Sequence, residues 1–140
     1  MQELERSNKM AKYFYPVILE PEKVGYSVYV PDIKGCATQG ENMGEVFEMV
    51  QDAIGLMLEK VAEKDFPVPS KPENIKLTGK QFVIMVPFDS LAYEQKYNTK
   101  PVKKTLSIPA WLNTLAEDNH INFSHLLKTA LCDKLQVKTI

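Results

Sequence analysis

The sequence predicts an α+β chain with two units: a small β-β-β-α-β layer, followed by a strand and two short helices. Segments in which apolar and polar residues alternate come before and after a long segment with helical periodicity. This order is typical of a helix packed on a sheet. Further along, a strand pattern that ends at a proline precedes two short amphipathic patterns. We assign residues 1–10 to a disordered extension or tag, 11–90 to the first unit, 91–101 to a linker and 102–140 to the second unit.

The charged residues divide unevenly between the two units. Residues 1–97 contain 11 Lys and Arg against 15 Asp and Glu, a net charge of −4. Residues 98–140 contain 6 Lys against 3 Asp and Glu, a net charge of +3. This asymmetry suggests two partners, a polyanion for the second unit and a cation-rich protein for the first, although ordinary surface scatter would also give these counts.

The first unit begins with a predicted hairpin. Residues 13–20 are rich in aromatic and β-branched side chains, and Pro16 among them is tolerated best at the edge of a sheet. A turn at residues 21–23 leads to a returning strand over residues 25–30, where side chains alternate. After a loop, residues 37–39 are long enough only for a short third strand.

A long amphipathic helix is predicted next. Asn42 and Glu45 have the spacing of a capping box, in which each side chain bonds the backbone of the other. Apolar residues repeat at helical intervals from Met43 as far as Ala62 or Lys64. This pattern predicts a helix that covers one face of the sheet.

The rest of the first unit is predicted from its prolines and one apolar run. The proline-rich residues 66–72 cannot continue a helix and are typical of an extended linker. Residues 81–86 are almost all apolar, which predicts a strand that is central in the sheet or buried on both faces. Residues 87–100 form a loosely patterned connector whose aromatic residues are expected to dock in part.

The second unit is organised by the alternation at residues 102–108. Leu106 and Ile108 lie on one face of the predicted strand, and a cation and two hydroxyl groups lie on the other. One strand and two short helices cannot enclose a core, and a lone strand has an unpaired edge on each side. The simplest remedy is a second copy of the chain, whose strand pairs with the first as an antiparallel ribbon over four helices.

Two short helices are predicted after this strand. Pro109 ends the strand and suits a first helical turn, because its φ is fixed and it has no N–H. Residues 119–122 break this helix, and Asn122 or Ser124 then caps a second one. Both helices carry apolar residues at helical spacing.

This order of elements resembles the ribbon-helix-helix proteins. The resemblance implies a homodimer whose two-stranded ribbon enters the major groove of DNA, where Lys103, Thr105 and Ser107 contact base edges. Phosphate contacts are expected at the start of the second helix, where the helix dipole favours anions, and from nearby lysines. The phosphate candidates are Lys100, Lys104, Asn122, Ser124 and His125. The alternative is a solvated lysine pair at 103–104 and a Ser124 that only caps the helix.

The first unit resembles the HicB antitoxin family. The loop after the hairpin keeps the Pro-Asp and Gly-Cys pairs of that family but departs from it at Lys34, and the helix start departs at Gly44. The shared residues are Pro31, Asp32, Gly35, Cys36, Thr38, Gly40 and Glu41. The resemblance implies a partial ribonuclease H-like layer that binds and blocks HicA, a small basic mRNA-cleaving ribonuclease. It also implies a DNA-binding unit that represses its own operon.

An acidic surface that masks the basic toxin is expected on the exposed part of the hairpin and its loop. The candidate toxin contacts are Tyr29, Pro31, Asp32, Lys34, Glu41 and Glu45. Two of them have a structural alternative. Asp32 also suits a turn that bonds its own backbone, and Tyr29 also suits a ring in the core.

An enzyme is not expected, and neither a cofactor nor a metal site is predicted. Ribonuclease H chemistry needs several carboxylates around two metal ions, and the hairpin and third strand offer only Asp32 and Glu20. Cys36 and Cys132 are expected as free thiols in a reducing cytoplasm, without a signal peptide or a membrane span. Two alternatives stay open: a ligand-sensing ribbon-helix-helix repressor and, less favoured, a metal-dependent ribonuclease H-like nuclease.

Overall fold

A four-stranded antiparallel sheet forms the centre of the first unit. The computed structural model describes residues 12–138, which divide after Tyr97 into two units, and the predicted extension at residues 1–10 lies outside the described residues. The sheet has the strand order β3-β2-β1-β4. The strands are β1 (Lys12–Pro21), β2 (Tyr26–Tyr29), β3 (Ala37–Gly40) and β4 (Phe82–Asp89).

The position of β4 differs from its prediction, because β4 lies at the edge of this sheet. It pairs with β1, from Leu19 opposite Phe82 to Lys12 opposite Asp89, so β1 rather than β4 is a central strand. Within β4 only Val86 and Phe88 are buried, and its other residues are half-buried. The apolar run at residues 81–86 therefore indicated a strand that is partly covered on both faces. It did not indicate the position of that strand in the sheet.

Pro16 lies in a central strand rather than at an edge. β2 pairs only with residues 18–21 of β1, so at Pro16 the strand has a hydrogen-bonded neighbour on the β4 side alone, where Met85 lies opposite. Because β2 does not extend to this level, the missing N–H of Pro16 costs no ladder bond with it.

The long helix α1 (Met43–Leu58) packs on the sheet, and its start follows the sequence signal. Asn42 Oδ1 accepts a hydrogen bond from the Glu45 backbone N–H at 2.9 Å. This bond satisfies one of the N–H groups that a helix start leaves without a partner. The cap predicted at Asn42 is therefore present.

The end of α1 comes earlier than the apolar pattern predicts. The helix stops at Leu58 rather than at Ala62 or Lys64, and Ala62 has an extended backbone with φ −64° and ψ 142°. Val61 is exposed, so this position no longer faces the core. The chain then turns back through a 3₁₀ turn at Glu63–Asp65.

The core of the first unit lies between α1 and the sheet. Full burial of a large aliphatic or aromatic side chain contributes about 1.5–3 kcal/mol, so this cluster is the main stabilising element of the unit. From α1 the core contains Val46, Val50, Ile54 and Leu58 at helical spacing. From the strands it contains Tyr15, Val17, Leu19, Val28, Val86 and Phe88.

The segment predicted as a linker at 91–101 begins with a helix, α2 (Ser90–Tyr97). Asp89 Oδ1 accepts a hydrogen bond from Ala92 N at 3.0 Å. The Tyr93 ring lies directly against Gly55 of α1, where any side-chain carbon on residue 55 would collide with it. α2 is therefore part of the first unit, because a glycine in α1 gives an aromatic ring room to dock.

The second unit contains two helices, α3 (Ala110–Asp118) and α4 (Phe123–Leu135), at the two predicted positions. Residues 102–108 do not pair as a strand with any other part of the described chain. A strand is defined by its hydrogen-bonded neighbour, and the neighbour expected here belongs to a second chain. Among residues 12–138, no helix combines the length and the apolar character that crossing a bilayer requires.

The turn between α3 and α4 contains a residue in a costly backbone conformation. His120 has φ 56°, in the left-handed region that favours glycine. The Ile121 N–H donates to the Ala116 carbonyl at 3.0 Å, and the His120 N–H donates to the Glu117 carbonyl at 3.0 Å. This is the Schellman arrangement, whose left-handed position is usually glycine.

We predict that His120→Gly raises the free energy of unfolding by about 0.5–1 kcal/mol. The left-handed conformation costs a non-glycine residue about 1–2 kcal/mol, and the added entropy of the unfolded chain offsets part of the gain. Chemical denaturation of the full chain measures the effect. The control Asn119→Gly, at φ −98°, should be destabilising. Equal effects of the two glycines would contradict the assignment of strain to His120.

Candidate functional site

The second unit leaves its apolar side chains in solvent when it is considered as one chain. Neither α3 nor α4 contains a buried residue. Trp111 is 66% exposed and Leu126 is 58% exposed. The other exposed apolar residues are Val102, Leu106, Ile108, Leu112, Leu115, Ile121, Phe123, Leu127, Leu131 and Leu135. Residues 98–138 thus form two helices without a core of their own.

An apolar groove of about 490 Å³ runs between residues 104–108 and α4. Leu106 and Ile108 line it together with Phe123, Leu126 and Leu127. Lys104 also lines this groove, so three alternate residues, 104, 106 and 108, share one side of the segment. This agrees with the alternation in the sequence.

A second depression brings predicted base-reading and phosphate-binding residues together. Lys103, Lys104 and Thr105 line it with Ser124 and Lys128. Ser107 lines neither this depression nor the apolar groove. Three lysines and the start of α4 form the polar part of this depression, and the rest of its lining is Pro101, Val102, Leu127, Leu131 and Cys132.

The start of α4 shows which residue caps the helix. Asn122 Oδ1 accepts a hydrogen bond from His125 N at 3.0 Å, and the Asn122 carbonyl accepts one from Leu126 N at 3.0 Å. Asn122, rather than Ser124, is therefore the cap. The predicted use of the His125 N–H for a phosphate conflicts with this bond, so the candidates for that contact are the earlier amides of the helix, including that of Ser124.

The six predicted toxin contacts do not form one cluster. Val28 and Val30, on either side of Tyr29 in sequence, are buried in the core beneath α1. Side chains alternate across a strand, so Tyr29, which is 42% exposed, lies on the opposite face of the sheet. It is not a ring of the core.

The remaining candidates lie at two ends of α1. Pro31 and Lys34 are exposed in the loop that follows β2, and Gly35 of this loop approaches Met57, near the end of α1. Glu41 and Glu45 lie at the start of α1, where they line a depression with Glu22 of the hairpin turn.

Asp32 has a structural partner that its sequence neighbours do not reveal. Its two carboxylate oxygens accept hydrogen bonds from Ser70, one from the backbone N–H at 2.8 Å and one from the hydroxyl at 2.5 Å. Nearby, the Tyr15 hydroxyl donates to the Pro67 carbonyl at 2.7 Å. These bonds fix the proline-rich segment that was predicted as an extended linker. Asp32 therefore bonds a distant segment instead of its own turn.

The buried thiol of Cys36 is not arranged as a nucleophile. Burial raises its pKa to about 11, so the thiolate is scarce at neutral pH. Burial also raises the pKa of Tyr15 to about 12, with smaller contributions from Tyr13 and Asp32. Among residues 12–138, no three His, Cys, Asp or Glu side chains are grouped so that they could hold a metal ion.

Comparison with known proteins decides the family. The family model described as the HicB-like antitoxin of bacterial toxin–antitoxin systems matches residues 15–130, which include most of both units. The chain belongs to the HicB-like antitoxin family. The predicted family is thereby confirmed, and the protein is an antitoxin of a toxin–antitoxin system.

Individual relatives and one solved structure are consistent with this result. The solved structure of a toxin–antitoxin complex from Streptococcus pneumoniae matches with a TM-score of 0.54 and 28% identity, over 88% of this chain and 99% of that one. A UPF0150 protein of Synechocystis is 35% identical over 46% of this chain and 82% of its own length. The antitoxin HicB 1 of Photorhabdus laumondii is 43% identical over 39% of this chain and 36% of its own length.

We predict that Asp32→Ala lowers the free energy of unfolding by about 1–3 kcal/mol, because it leaves the Ser70 amide and hydroxyl without their acceptor. Urea denaturation of the full chain measures this. Lys34→Ala, an exposed change in the same loop, should stay within about 0.5 kcal/mol of the wild type. In a double-mutant cycle, Asp32→Ala and Ser70→Ala should be strongly non-additive, and simple additivity would show that the pair does not act together.

Proposed function

We propose that this antitoxin acts in two ways. Through the first unit, which was predicted as residues 11–90 and also includes α2 as far as Tyr97, it binds and neutralises a HicA-type mRNA-cleaving toxin. Through the second, residues 102–140, it forms a ribbon-helix-helix homodimer that represses its own operon on operator DNA. Family resemblance supports a partial ribonuclease H-like layer in the first unit. The observation that carries the proposal is the exposed apolar surface of residues 98–138.

Dimer formation follows from the need to bury this apolar surface. Each Leu or Ile side chain that leaves water contributes about 1.5–3 kcal/mol, and a unit of about 40 residues rarely encloses a sufficient core alone. A second copy supplies a strand to pair with residues 102–108 and helices to cover Leu106 and Ile108. A twofold arrangement buries the same surface on both chains.

The paired strands would then present one face to DNA. With Leu106 and Ile108 turned towards the helices, Lys103, Thr105 and Ser107 project from the outer face of the ribbon. A lysine suits the guanine acceptors of the major groove, and hydroxyl groups are less selective. Lys104, Lys100 and the first amides of α4, around Ser124, would hold phosphates and fix the position of the ribbon.

For the toxin, the acidic character of the first unit supports a basic partner. The similarity to a chain from a toxin–antitoxin complex supports a toxin as that partner. Contacts are proposed at Tyr29, Pro31, Lys34, Glu41 and Glu45. Asp32, although it was proposed with them, would act mainly by holding the proline-rich segment against Ser70.

The toxin-binding part is tested by expressing the chain together with its cognate HicA-type toxin. We expect the two proteins to copurify and the growth arrest caused by the toxin alone to be relieved, because the antitoxin covers the nuclease surface. Deletion of residues 98–140 should leave neutralisation measurable, whereas deletion of residues 1–97 should abolish it. Failure of the full chain to bind or to relieve the arrest would contradict the proposal.

The DNA-binding part is tested by gel-shift titration with the region upstream of the operon. Lys103→Ala should weaken operator binding by about 1–3 kcal/mol and reduce discrimination against unrelated DNA, because a base contact is lost. Lys104→Ala should weaken binding to both DNAs alike, as expected for a phosphate contact.

Lys134→Ala, a change of the same charge in the last turn of α4, is the matched control and should leave binding unchanged. Operator binding by Lys103→Ala at wild-type strength would contradict the assignment of the ribbon face.

A further inference from the structure

The solvent-facing side of α1 carries acidic residues and no basic ones. Between Met43 and Leu58 it carries three acidic residues, Glu45, Glu48 and Asp52, and neither Lys nor Arg. Lys96 of α2 pairs with Asp52 at 3.3 Å and with Glu48 at 3.9 Å, but the Glu48 side chain remains 70% exposed. The outer surface of α1 is therefore negatively charged over its first half.

Beside these acids, α1 exposes a stripe of large apolar side chains. Leu56 is 65% exposed, and Met49 and Met57 are 38% and 40% exposed. Positions 49, 53, 56 and 57 follow helical spacing, so Met49, Leu56 and Met57 share one side of the helix with Ala53, which is half-buried and also packs against the core. We call these four residues the α1 stripe. A single exposed leucine is ordinary, whereas an apolar stripe on the outside of a well-packed helix marks a contact surface.

The α1 stripe connects the two separated groups of toxin candidates. At one end, Met57 Cε lies 3.6 Å from the position that a Cβ on Gly35 would occupy, next to Lys34. At the other end, Glu45 lies in the first turn of α1, one helical turn before Met49. The loop and the acidic helix start are thus joined by one continuous apolar strip.

We propose that the α1 stripe is the apolar centre of the surface that the HicA-type toxin covers. The inference deepens the proposed toxin-binding function and rests on it. Contact surfaces typically have an apolar centre and a polar rim, and the loop residues and Glu45 provide that rim here. Methionine side chains are flexible and adapt to an irregular partner surface, which suits two of the four positions.

The acidic residues beside the α1 stripe favour a basic partner over a second copy of this chain. A second copy of this chain would bring two acidic helices together, and like charges that face each other across an interface are unfavourable. A basic partner gains from the same acids, both in its rate of encounter and in its orientation. The occupant is therefore a basic protein, and the toxin implied by the family is basic.

The test uses the full chain and its cognate HicA-type toxin in a catalytically inactive form, so that the toxin can be produced. Isothermal titration calorimetry compares the wild type with Leu56→Lys. This change removes the apolar contact and adds a charge that repels a basic partner, and it keeps a good helix former four residues after Asp52. Leu77→Lys, the same substitution at a 42% exposed leucine outside α1, is the matched control.

We expect Leu56→Lys to weaken binding by about 30-fold or more, as for the central contact of an interface, and Leu77→Lys to bind within about threefold of the wild type. Thermal melts check that each variant folds. Should Leu56→Lys fail to fold, Leu56→Ala takes its place, with an expected loss of about fivefold or more.

The outcomes separate this inference from the function on which it rests. If the wild type does not bind the toxin, the proposed toxin-binding function fails. If the wild type binds and Leu56→Lys binds equally well, or if both lysine variants lose affinity alike, the α1 stripe is not the centre of the interface.

Discussion

The burial of apolar side chains in residues 98–138 is the constraint on which the rest of the molecule depends. α3 and α4 each present an apolar face, and the two faces do not enclose a core within one chain. Hydrophobic burial is the main favourable term in folding, so a unit of this kind is stable only when another surface covers it. A second copy of the chain, which we propose as that surface, would also account for the alternation at residues 102–108, because the opposite face would stay polar for the proposed DNA contact.

The first unit buries its apolar side chains within one chain. α1 covers the sheet, Tyr93 of α2 docks on Gly55, and the proline-rich segment is fixed by Asp32 and Tyr15. Because its core is complete, its outer surface is available for recognition of a different molecule. The residues proposed for dimer formation and those proposed for toxin binding therefore lie in different units.

Local signals made much of this fold predictable from the sequence. The Asn42 cap, the hairpin and both short helices depend on neighbouring residues, and they lie where the pattern placed them. Non-local contacts were not predictable in this way. The Asp32–Ser70 pair spans 38 residues, and α2 is stabilised by a glycine in another helix, so no short pattern announces either feature.

In the candidate site, too, local signals were predictable from the sequence and non-local contacts were not. Alternation and capping led to the residues proposed to face DNA, and the hydrogen bond from the His125 N–H to Asn122 Oδ1 changes which amides are available to an anion. For the toxin, sequence reasoning chose residues of the hairpin, its loop and the helix start, and it did not consider the exposed apolar positions of α1. Periodicity locates an apolar face, but it cannot show that Leu56 lies beyond the width that the sheet covers.

Sedimentation equilibrium of the full chain at micromolar concentration tests the central claim most directly. The account predicts the mass of two chains and, in any single chain present at lower concentration, an unfolded segment at residues 98–138, because the second unit has no core until it is paired. A single-chain mass together with a cooperative unfolding transition of residues 98–138 would contradict it.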